Sequence, residues 1–346
     1  MNKNILITGG AGFIGINAAR FFLKKRFNVI ILDNFSRSGT KQNVKKLLKE
    51  SFLKKKITIV KLDLINLIKL KQVIKRYKPE LILHLAGQVA VTTSIINPFD
   101  DFDINIKGTL NLLESCRHNS KKSLIIYSST NKVYGKIDSY SKIGKLRYIV
   151  NKKNITSENN NLDFYSPYGC SKGSADQYVR DYSRIYGLNT VVLRQSCIYG
   201  RNQFGIEDQG WVAWFIIAFL IKKKLTIYGN GKQVRDLLFV DDLTELFFKI
   251  FKNKKKCSGQ IFNIGGGIRN TLSLLELIKI LKTKYNLKTK MNFGPERDGD
   301  QKIFVSNNSK IKKYVDWQPS TNVDNGLKQI ISWSEENLSL IKKTLK

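Results

Sequence analysis

Histidine is nearly missing from this chain: His84 and His118 are the only two in 346 residues. Two imidazoles leave little from which to build a histidine-rich zinc site or a Ser-His-Asp hydrolase. Cysteine is scarce too. Cys116, Cys170, Cys197 and Cys257 lie far apart with no C-x-x-C, so they read as free thiols in a reducing compartment rather than as a disulfide framework or a metal knuckle. No apolar run is long. The longest, 211–221, is too short to span a bilayer and suits a buried helix. No internal repeat is visible. Met1 leads within a few residues into a strand pattern, so no signal peptide is expected. Acidic residues are few, 27 against 60 Lys and Arg, a net charge of +33. Such an excess invites a nucleic-acid reading. Here the lysines are scattered in short runs (54–56, 222–224, 254–256) among abundant asparagine and isoleucine, residues with A/T-rich codons. A composition bias on solvated faces accounts for them, and no nucleic-acid partner is expected. These absences together describe a cytoplasmic protein with no membrane segment and no metal.

What is present is a large stock of core residues, 42% apolar and 11% aromatic, enough for one or two domains. Runs rich in β-branched residues at 4–8, 28–33, 57–63, 81–86, 123–129 and 190–194 read as strands. Helical patterns at 15–25, 42–50, 67–77 and 104–118 separate them. Strand-helix alternation implies an α/β fold: a doubly wound parallel Rossmann sheet covered on both faces. The pattern weakens after Arg194. Glycines cluster at 200–210 and 228–232, followed by a strand-like 260–264 and a leucine-rich helix at 272–285. The expected division is a cofactor domain over 1–195, with return segments near 234–264. A smaller α/β substrate lobe takes 196–233 and 265–346. The polar, lysine- and asparagine-rich stretch 140–163 reads as a long surface loop.

Residues 8–15 read T-G-G-A-G-F-I-G, directly after the first strand and opening a helix at Phe13 and Ile14. Gly9, Gly12 and Gly15 allow a tight turn, close approach of a pyrophosphate, and close helix-strand packing; the helix N-terminus offers amides to the phosphates. Asp33 ends the second strand about 20 residues on, where it can accept from ribose hydroxyls and repel a 2′-phosphate. NAD is therefore favoured over NADP, although Arg37 nearby pulls the other way. Asp63, ending the third strand, either caps the adenine end or is an ordinary turn residue. Leu85, Ala86 and Gly87 close the fourth strand with side chains small enough to let a cofactor pass. His84 before them reads as a core residue rather than a catalyst.

Residues 166–172 read S-P-Y-G-C-S-K, with Tyr168 four positions before Lys172. On a helix such residues share a face, so the ammonium can sit near the phenol. A free tyrosine titrates near ~10. A neighbouring cation would lower that value and make a proton acceptor for an alcohol undergoing oxidation.

Further stretches turn these motifs into a resemblance: H-L-A-G at 84–87, N-I-K-G-T-L-N-L-L-E at 105–114, S-S-T-N-K-V-Y-G at 128–135 and Y-G-C-S-K at 168–172. Over nearly its whole length the chain resembles the extended short-chain dehydrogenase/reductase superfamily of NAD-dependent epimerases and dehydratases. Within it, H-L-A-G-Q-V-A-V-T-T-S-I, D-Q-G-W-V-A-W-F and G-N-G-K-Q-V-R-D resemble the CDP-sugar 2-epimerases that act on CDP-paratose and CDP-tyvelose in O-antigen biosynthesis. The resemblance implies Thr130, Tyr168 and Lys172 as the catalytic set. Thr130 would bond the reacting hydroxyl and Tyr168 would be the acid/base. Lys172 would hold the nicotinamide ribose and depress the tyrosine pKa. The implied cofactor contacts add Asn34, Leu64, Asn105, Ser128 and Gln195 to the residues above; Asn105 could equally be a helix-start cap. Gln88, Gln209, Trp211, Arg235 and Arg297 are the implied substrate contacts. The two arginines suit a diphosphate, or else form surface ion pairs with Asp236 and Asp298. Trp211 fits a core role as well. Sugar 4,6-dehydratases of the superfamily carry an acidic pair after the triad hydroxyl, where elimination of water needs an acid and a base. Asn131 and Lys132 stand there instead. A UDP-sugar 4-epimerase or related NAD-dependent nucleotide-sugar dehydrogenase or dehydratase, and a cofactor-sensing binding protein, are the competing readings. Relatives pair through two helices, here near 104–118 and 168–186, so a homo-oligomer, dimer or tetramer, is expected.

Overall fold

The structure, a computed structural model, describes residues 3–50, 56–137 and 142–345. Parts of the lysine run 54–56 and of the stretch 140–163 lie outside the described residues. In the first half, strands β1 (Asn4–Thr8), β2 (Asn28–Asp33), β3 (Ile57–Lys61), β4 (Leu81–His84), β5 (Leu124–Thr130), β6 (Ile155–Thr156) and β7 (Asn189–Gln195) form. Between them lie helices α1 (Phe13–Lys24), α2 (Thr40–Lys49), α3 (Leu67–Tyr77), α4 (Val91–Ile96), α5 (Pro98–Asp101), α6 (Gly108–Asn119) and α7 (Pro167–Tyr186). The second half adds β8 (Cys197–Tyr199), α8 (Trp211–Leu220), β9 (Leu225–Tyr228), β10 (Val234–Phe239), α9 (Val240–Lys252), α10 (Lys254–Cys257), β11 (Gln260–Ile264) and β12 (Thr271–Ser273). It ends with α11 (Leu274–Thr283), β13 (Met291–Gly294), β14 (Ile303–Ser306), α12 (Ser309–Val315), α13 (Val323–Glu336) and α14 (Leu338–Thr344).

The main sheet has seven strands in the order β11-β7-β5-β4-β1-β2-β3, all parallel. Its strands alternate between two cores, as period-2 geometry requires. Ile5, Ile7, Val29, Ile31, Leu81 and Leu83 face α1 and α9; Leu6, Ile30, Leu32, Ile82, Ile125 and Tyr127 face α3, α6 and α7. Burial on both faces explains the continuous apolar runs. Chain order reverses between β1 and β4, which opens a crevice beyond their carboxyl ends.

A second sheet runs β12-β10-β14-β6, with β8 also on β10, and β13 pairs with β9. Three segments depart from the expected division. The strand Val234–Phe239 does not join the main sheet, although its Leu238 packs into that core; it is central to the second sheet, while α9, Cys257 of α10 and β11 go back. Ile311, Val315 and Trp317, expected in the small lobe, pack into the main core. The stretch 140–163 is more than a loop. Tyr148 and Val150 pack against Val234, Ile303 and Val305, and β6 pairs with β14. Its polar composition hid three core side chains spaced among lysines. The helix expected over 104–118 begins instead as a π-helical turn, Phe102–Lys107, before α6. Among the described residues no helix is long and apolar enough to cross a membrane, and no cluster of His, Cys, Asp and Glu could hold a metal.

Candidate active site

The glycine loop has the geometry that its sequence demands. Gly9 sits at φ +65°, and a Cβ there would lie 2.7 Å from the Ala86 nitrogen. A Cβ on Gly15 would lie 2.3 Å from the Gly9 carbonyl oxygen. Gly12 is the N-cap of α1 and supplies no side chain to its amides, and no acidic residue occupies the first turn. The helix end is left open to a phosphate. Asp33 anchors the loop: its Oδ2 accepts from the Ala11 amide (3.0 Å) and its Oδ1 from the Phe35 amide (2.8 Å). Burial nevertheless pushes its pKa up, against those two bonds and Arg37.

A cleft of about 390 Å³ follows this loop. Gly9, Gly12, Phe13, Ile14, Gly15, Asp33, Asn34, Asp63, Leu64, Leu85, Ala86, Gly87, Gln88, Ser128 and Gln209 line it, as do Arg37 and Thr93; Ser36, Thr40 and Ile206 do so without having been marked by a motif. Asn34 Nδ2 donates to Asp63 Oδ2 (2.8 Å) at one end, and Asp63 Oδ1 also caps the Ile65 amide (3.0 Å). His84 stays behind the cleft. Its ring bridges Thr8 Oγ1 (2.8 Å) and Thr109 Oγ1 (2.9 Å), and burial pulls its pKa down to about 3, so it is neutral.

Thr130, Tyr168 and Lys172 gather just behind Ser128 and Gly87. Thr130 ends β5 and caps the 3₁₀ turn Asn131–Tyr134 by accepting from the Lys132 amide (3.2 Å). Ser166, at φ +84°, caps α7 by accepting from the Gly169 amide (3.2 Å), and Pro167 follows in the first turn. Tyr168 is fixed through its amide, which donates to Ser94 Oγ (3.1 Å), and its side chain hydrogen-bonds with Thr130. Lys172 Nζ donates to the Ser128 carbonyl (2.6 Å) and lies 4.3 Å from the Tyr127 ring centre.

The electrostatics differ from the sequence expectation. Lys172 was to lower the Tyr168 pKa. Instead burial pushes Tyr168 up to about 12; the Thr130 hydrogen bond opposes that, Asp101 adds to it, and Arg37 opposes it. Lys172 is itself pulled down to about 7 by burial, with Asp176 and Asp101 opposing. Lys172 is not among the groups that move the Tyr168 pKa, so desolvation of the phenol decides its direction.

Two implied ligand contacts are already committed. Asn105 is neither a helix cap nor a cleft-lining residue. Its Nδ2 lies within reach of the Gln88 carbonyl (3.1 Å), Asp101 Oδ1 (3.3 Å) and Ser171 Oγ (2.9 Å), while its Oδ1 accepts from the Gln88 amide (3.0 Å). Gln88 turns its amide back onto Ala90 and Asp101. By contrast Gln195, in register with Thr130 across β5 and β7, keeps a buried Nε2 with no protein partner. Open helix amides and two glycines with no space for a Cβ fit a dinucleotide in this cleft, whose lining does not include Gln195.

The sequence matches the family described as GDP-mannose 4,6 dehydratase over residues 6–330. The chain belongs to this family. It is 46% identical over 337 residues to a CDP-paratose 2-epimerase of Salmonella typhi, covering 95% of this chain and 98% of that one. Among solved structures it resembles the UDP-glucuronic acid 4-epimerase of Bacillus cereus in complex with UDP-glucuronic acid and NAD. There the TM-score is 0.82 at 27% identity, covering 96% of this chain and 99% of that one. The dTDP-glucose 4,6-dehydratase of Bacillus anthracis in complex with NAD gives 0.82 at 27%, covering 99% of each chain.

Where this member of the family would meet its substrate, the expected residues separate. Gln209 reaches the cofactor cleft; Trp211, Arg235 and Arg297 do not line it. Arg297 lies 3.9 Å over the Tyr228 ring, reaches Asp208 (3.2 Å) rather than Asp298, and borders a second cavity of about 850 Å³. Arg235 is buried and pairs with Asp300 (2.6 Å), not Asp236. Asp236 is occupied by Ser196 and by the amides of Gly267 (2.9 Å) and Ser306 (3.1 Å). Trp211 donates its indole N–H to Cys197 Sγ (3.4 Å) and packs edge-on against Phe215. Asp300 and Asp101 are the residues that sequence reading missed. Asp101 stands four positions before Asn105, one helical turn away, and that spacing was its signal.

Proposed function

We propose that this chain is an NAD-dependent CDP-sugar 2-epimerase that interconverts CDP-paratose and CDP-tyvelose, in O-antigen biosynthesis. The 46% identity to the Salmonella typhi CDP-paratose 2-epimerase, nearly end to end in both chains, carries the choice of substrate. The clustered hydroxyl, phenol and amine beside a dinucleotide cleft support the reaction type.

Gly12, Gly15, Asp33 and Gln195 would hold the cofactor, with Lys172 at the nicotinamide ribose. When bound, NAD supplies a hydride acceptor and a positively charged ring. Thr130 orients the sugar hydroxyl at carbon 2. Tyr168 takes its proton as the carbon becomes a ketone and gives it back on return. In the free protein the phenol is protonated at neutral pH, so it works as a base only with more positive charge beside it than Lys172 provides. Thr130, Tyr168 and Lys172 are 7%, 7% and 4% exposed, which keeps water from the ketone. Inversion requires the sugar to present its other face while the nucleotide stays anchored; Arg297, which borders the second cavity, suits that anchor, whereas Arg235 is engaged by Asp300.

We also propose a cofactor half made of 1–195 without the stretch 148–156 and with 240–264 and 309–317, a substrate lobe built on the second sheet, a cytoplasmic location, and a dimer or tetramer formed through α6 and α7. Those helices lie side by side, joined by Tyr182 Oη to Glu114 Oε1 (2.7 Å), with Tyr178 and Ile185 exposed.

The test is NMR of CDP-paratose with purified protein and no added cofactor. Inversion at carbon 2 is expected. An unchanged CDP-paratose spectrum together with inversion of UDP-glucose at carbon 4 would replace this reading by the 4-epimerase.

A further inference from the structure

Asp101 is a carboxylate with 1% of its surface exposed, where three chain segments meet. Its Oδ1 accepts from Ser171 Oγ (3.0 Å) and Asn105 Nδ2 (3.3 Å), and its Oδ2 from Gln88 Nε2 (2.6 Å). Ser171 stands on α7 between Tyr168 and Lys172, and its Oγ also lies 3.1 Å from the Tyr168 carbonyl. Gln88 belongs to the segment after β4 that lines the cofactor cleft. One buried carboxylate, its pKa pushed up by burial against the bonds from Gln88, Ser171 and Asn105, therefore ties the helix carrying Tyr168 and Lys172 to the wall of the cleft. Three neutral donors meet its charge, an arrangement that costs more than leaving an apolar residue there.

We infer that Asp101 is a positioning residue that holds Tyr168 and Lys172 against the cofactor cleft and sets the pH range in which that pair works. This rests on the reading of Tyr168 and Lys172 as the proton-transfer pair. The charge of Asp101 raises the proton affinity of both groups. It opposes, after Asp176, the loss of proton affinity that burial imposes on the amine, and it makes the phenol harder to ionise. The other groups that face this junction are Asp100 beside Asp101, Thr130, Tyr127 and Arg37 around Tyr168, and Asp176 and His84 around Lys172. Ser171 and Gln88 carry the mechanical link. A neutral residue at 101 would lower both proton affinities together. Loss of packing alone would lower turnover and leave the titrations in place.

The experiment is the pH dependence of kcat and KM for CDP-paratose in the NAD-loaded full chain, for the parent, Asp101→Asn, Ser171→Ala and Tyr168→Phe. Asp101→Asn is expected to lower kcat roughly ten-fold, leave KM within about two-fold, and move both limbs of the kcat profile to lower pH by roughly half a unit to one unit. Limbs that stay where the parent has them overturn the inference. Ser171→Ala keeps the charge and removes the link. It should lower kcat several-fold with the limbs in place, and an unchanged kcat overturns the inference even if Asp101→Asn fails to fold. Tyr168→Phe separates the two levels. If it turns over like the parent, the proton-transfer reading itself fails; if it is inactive while the Asp101→Asn limbs do not move, the inference about Asp101 fails alone.

Discussion

Replacing Lys172 by methionine should stabilise the cofactor-free protein near neutral pH while disabling it. The amine is 4% exposed, and burial pulls its pKa from 10.5 to about 7. An unfolded lysine titrates near 10.4. As pH falls between those two values the unfolded chain takes up a proton that the folded chain refuses. Folded stability is therefore lost at about 1.4 kcal/mol per pH unit, about 5 kcal/mol in all, and the loss is complete below the folded value. Methionine has a similar length and no charge, so it escapes that cost. It gives up the bond to the Ser128 carbonyl, about 1–3 kcal/mol, and the contact over the Tyr127 ring, about 0.5–2 kcal/mol. The balance is a gain of about 2 kcal/mol at neutral pH. The gain should disappear as pH rises toward the unfolded value, because the penalty it removes is then no longer there. Urea unfolding of the NAD-free parent and Lys172→Met, at about pH 7 and about pH 9.5, reads the difference directly; it should change by about 3 kcal/mol between them. Other lysines and tyrosines titrate in both proteins and cancel. A difference that is the same at the two pH values would refute the claim that desolvation governs this amine.

Tyr168→Phe should lower turnover of CDP-paratose by about 10²- to 10⁴-fold while NAD stays bound, read as NMR conversion beside the bound-nucleotide content. Asp33→Ala frees the amides of Ala11 and Phe35 and removes the repulsion of a 2′-phosphate. NAD affinity should fall at least ten-fold and the NAD to NADP preference should narrow in parallel titrations; an unchanged ratio assigns discrimination elsewhere. Gly15→Ala forces a Cβ to within 2.3 Å of a backbone oxygen. It should abolish NAD retention on gel filtration, and retention at the parent's level would show that the loop shifts without cost.

The parts of the molecule visible in the sequence are those where physics leaves one residue type. Gly9 and Gly15 have no space for a side chain, and strands buried on both faces must read as unbroken apolar runs. Ser166 and Pro167 mark the start of α7 for the same kind of reason. What the sequence concealed depends on partners far along the chain. Tyr148 and Ile155 lie among lysines and asparagines, and only the distant strands β10 and β14 make them core or sheet residues. Arg235 stands next to Asp236 in sequence, yet its carboxylate partner is 65 positions away. The direction of the Tyr168 pKa was misread because local spacing puts a cation on the same face but says nothing of how completely both groups are desolvated.

The same long-range pairing bears on which reaction this member of the family can carry out. Elimination of water from an oxidised sugar needs a protonated acid near Thr130. Asn131 donates to Gln301 Oε1 (2.8 Å), and Lys132 reaches the Gly299 carbonyl (2.9 Å) and Asp300 (3.6 Å). Consecutive residues of the catalytic turn are thus bolted to consecutive residues of the second lobe. The carboxylate that this link brings to the turn is Asp300. Burial alone would push its pKa up, but Arg235 and Lys132 outweigh burial and hold it below the usual value. Asp300 is therefore ionised at neutral pH and engaged by two cations, which leaves it unable to donate a proton to a departing hydroxyl. An oxidised sugar held here finds no proton donor for an elimination in Asp300. The return of hydride remains open to it, and a choice of face on return is what separates an epimerase from an idle dehydrogenase.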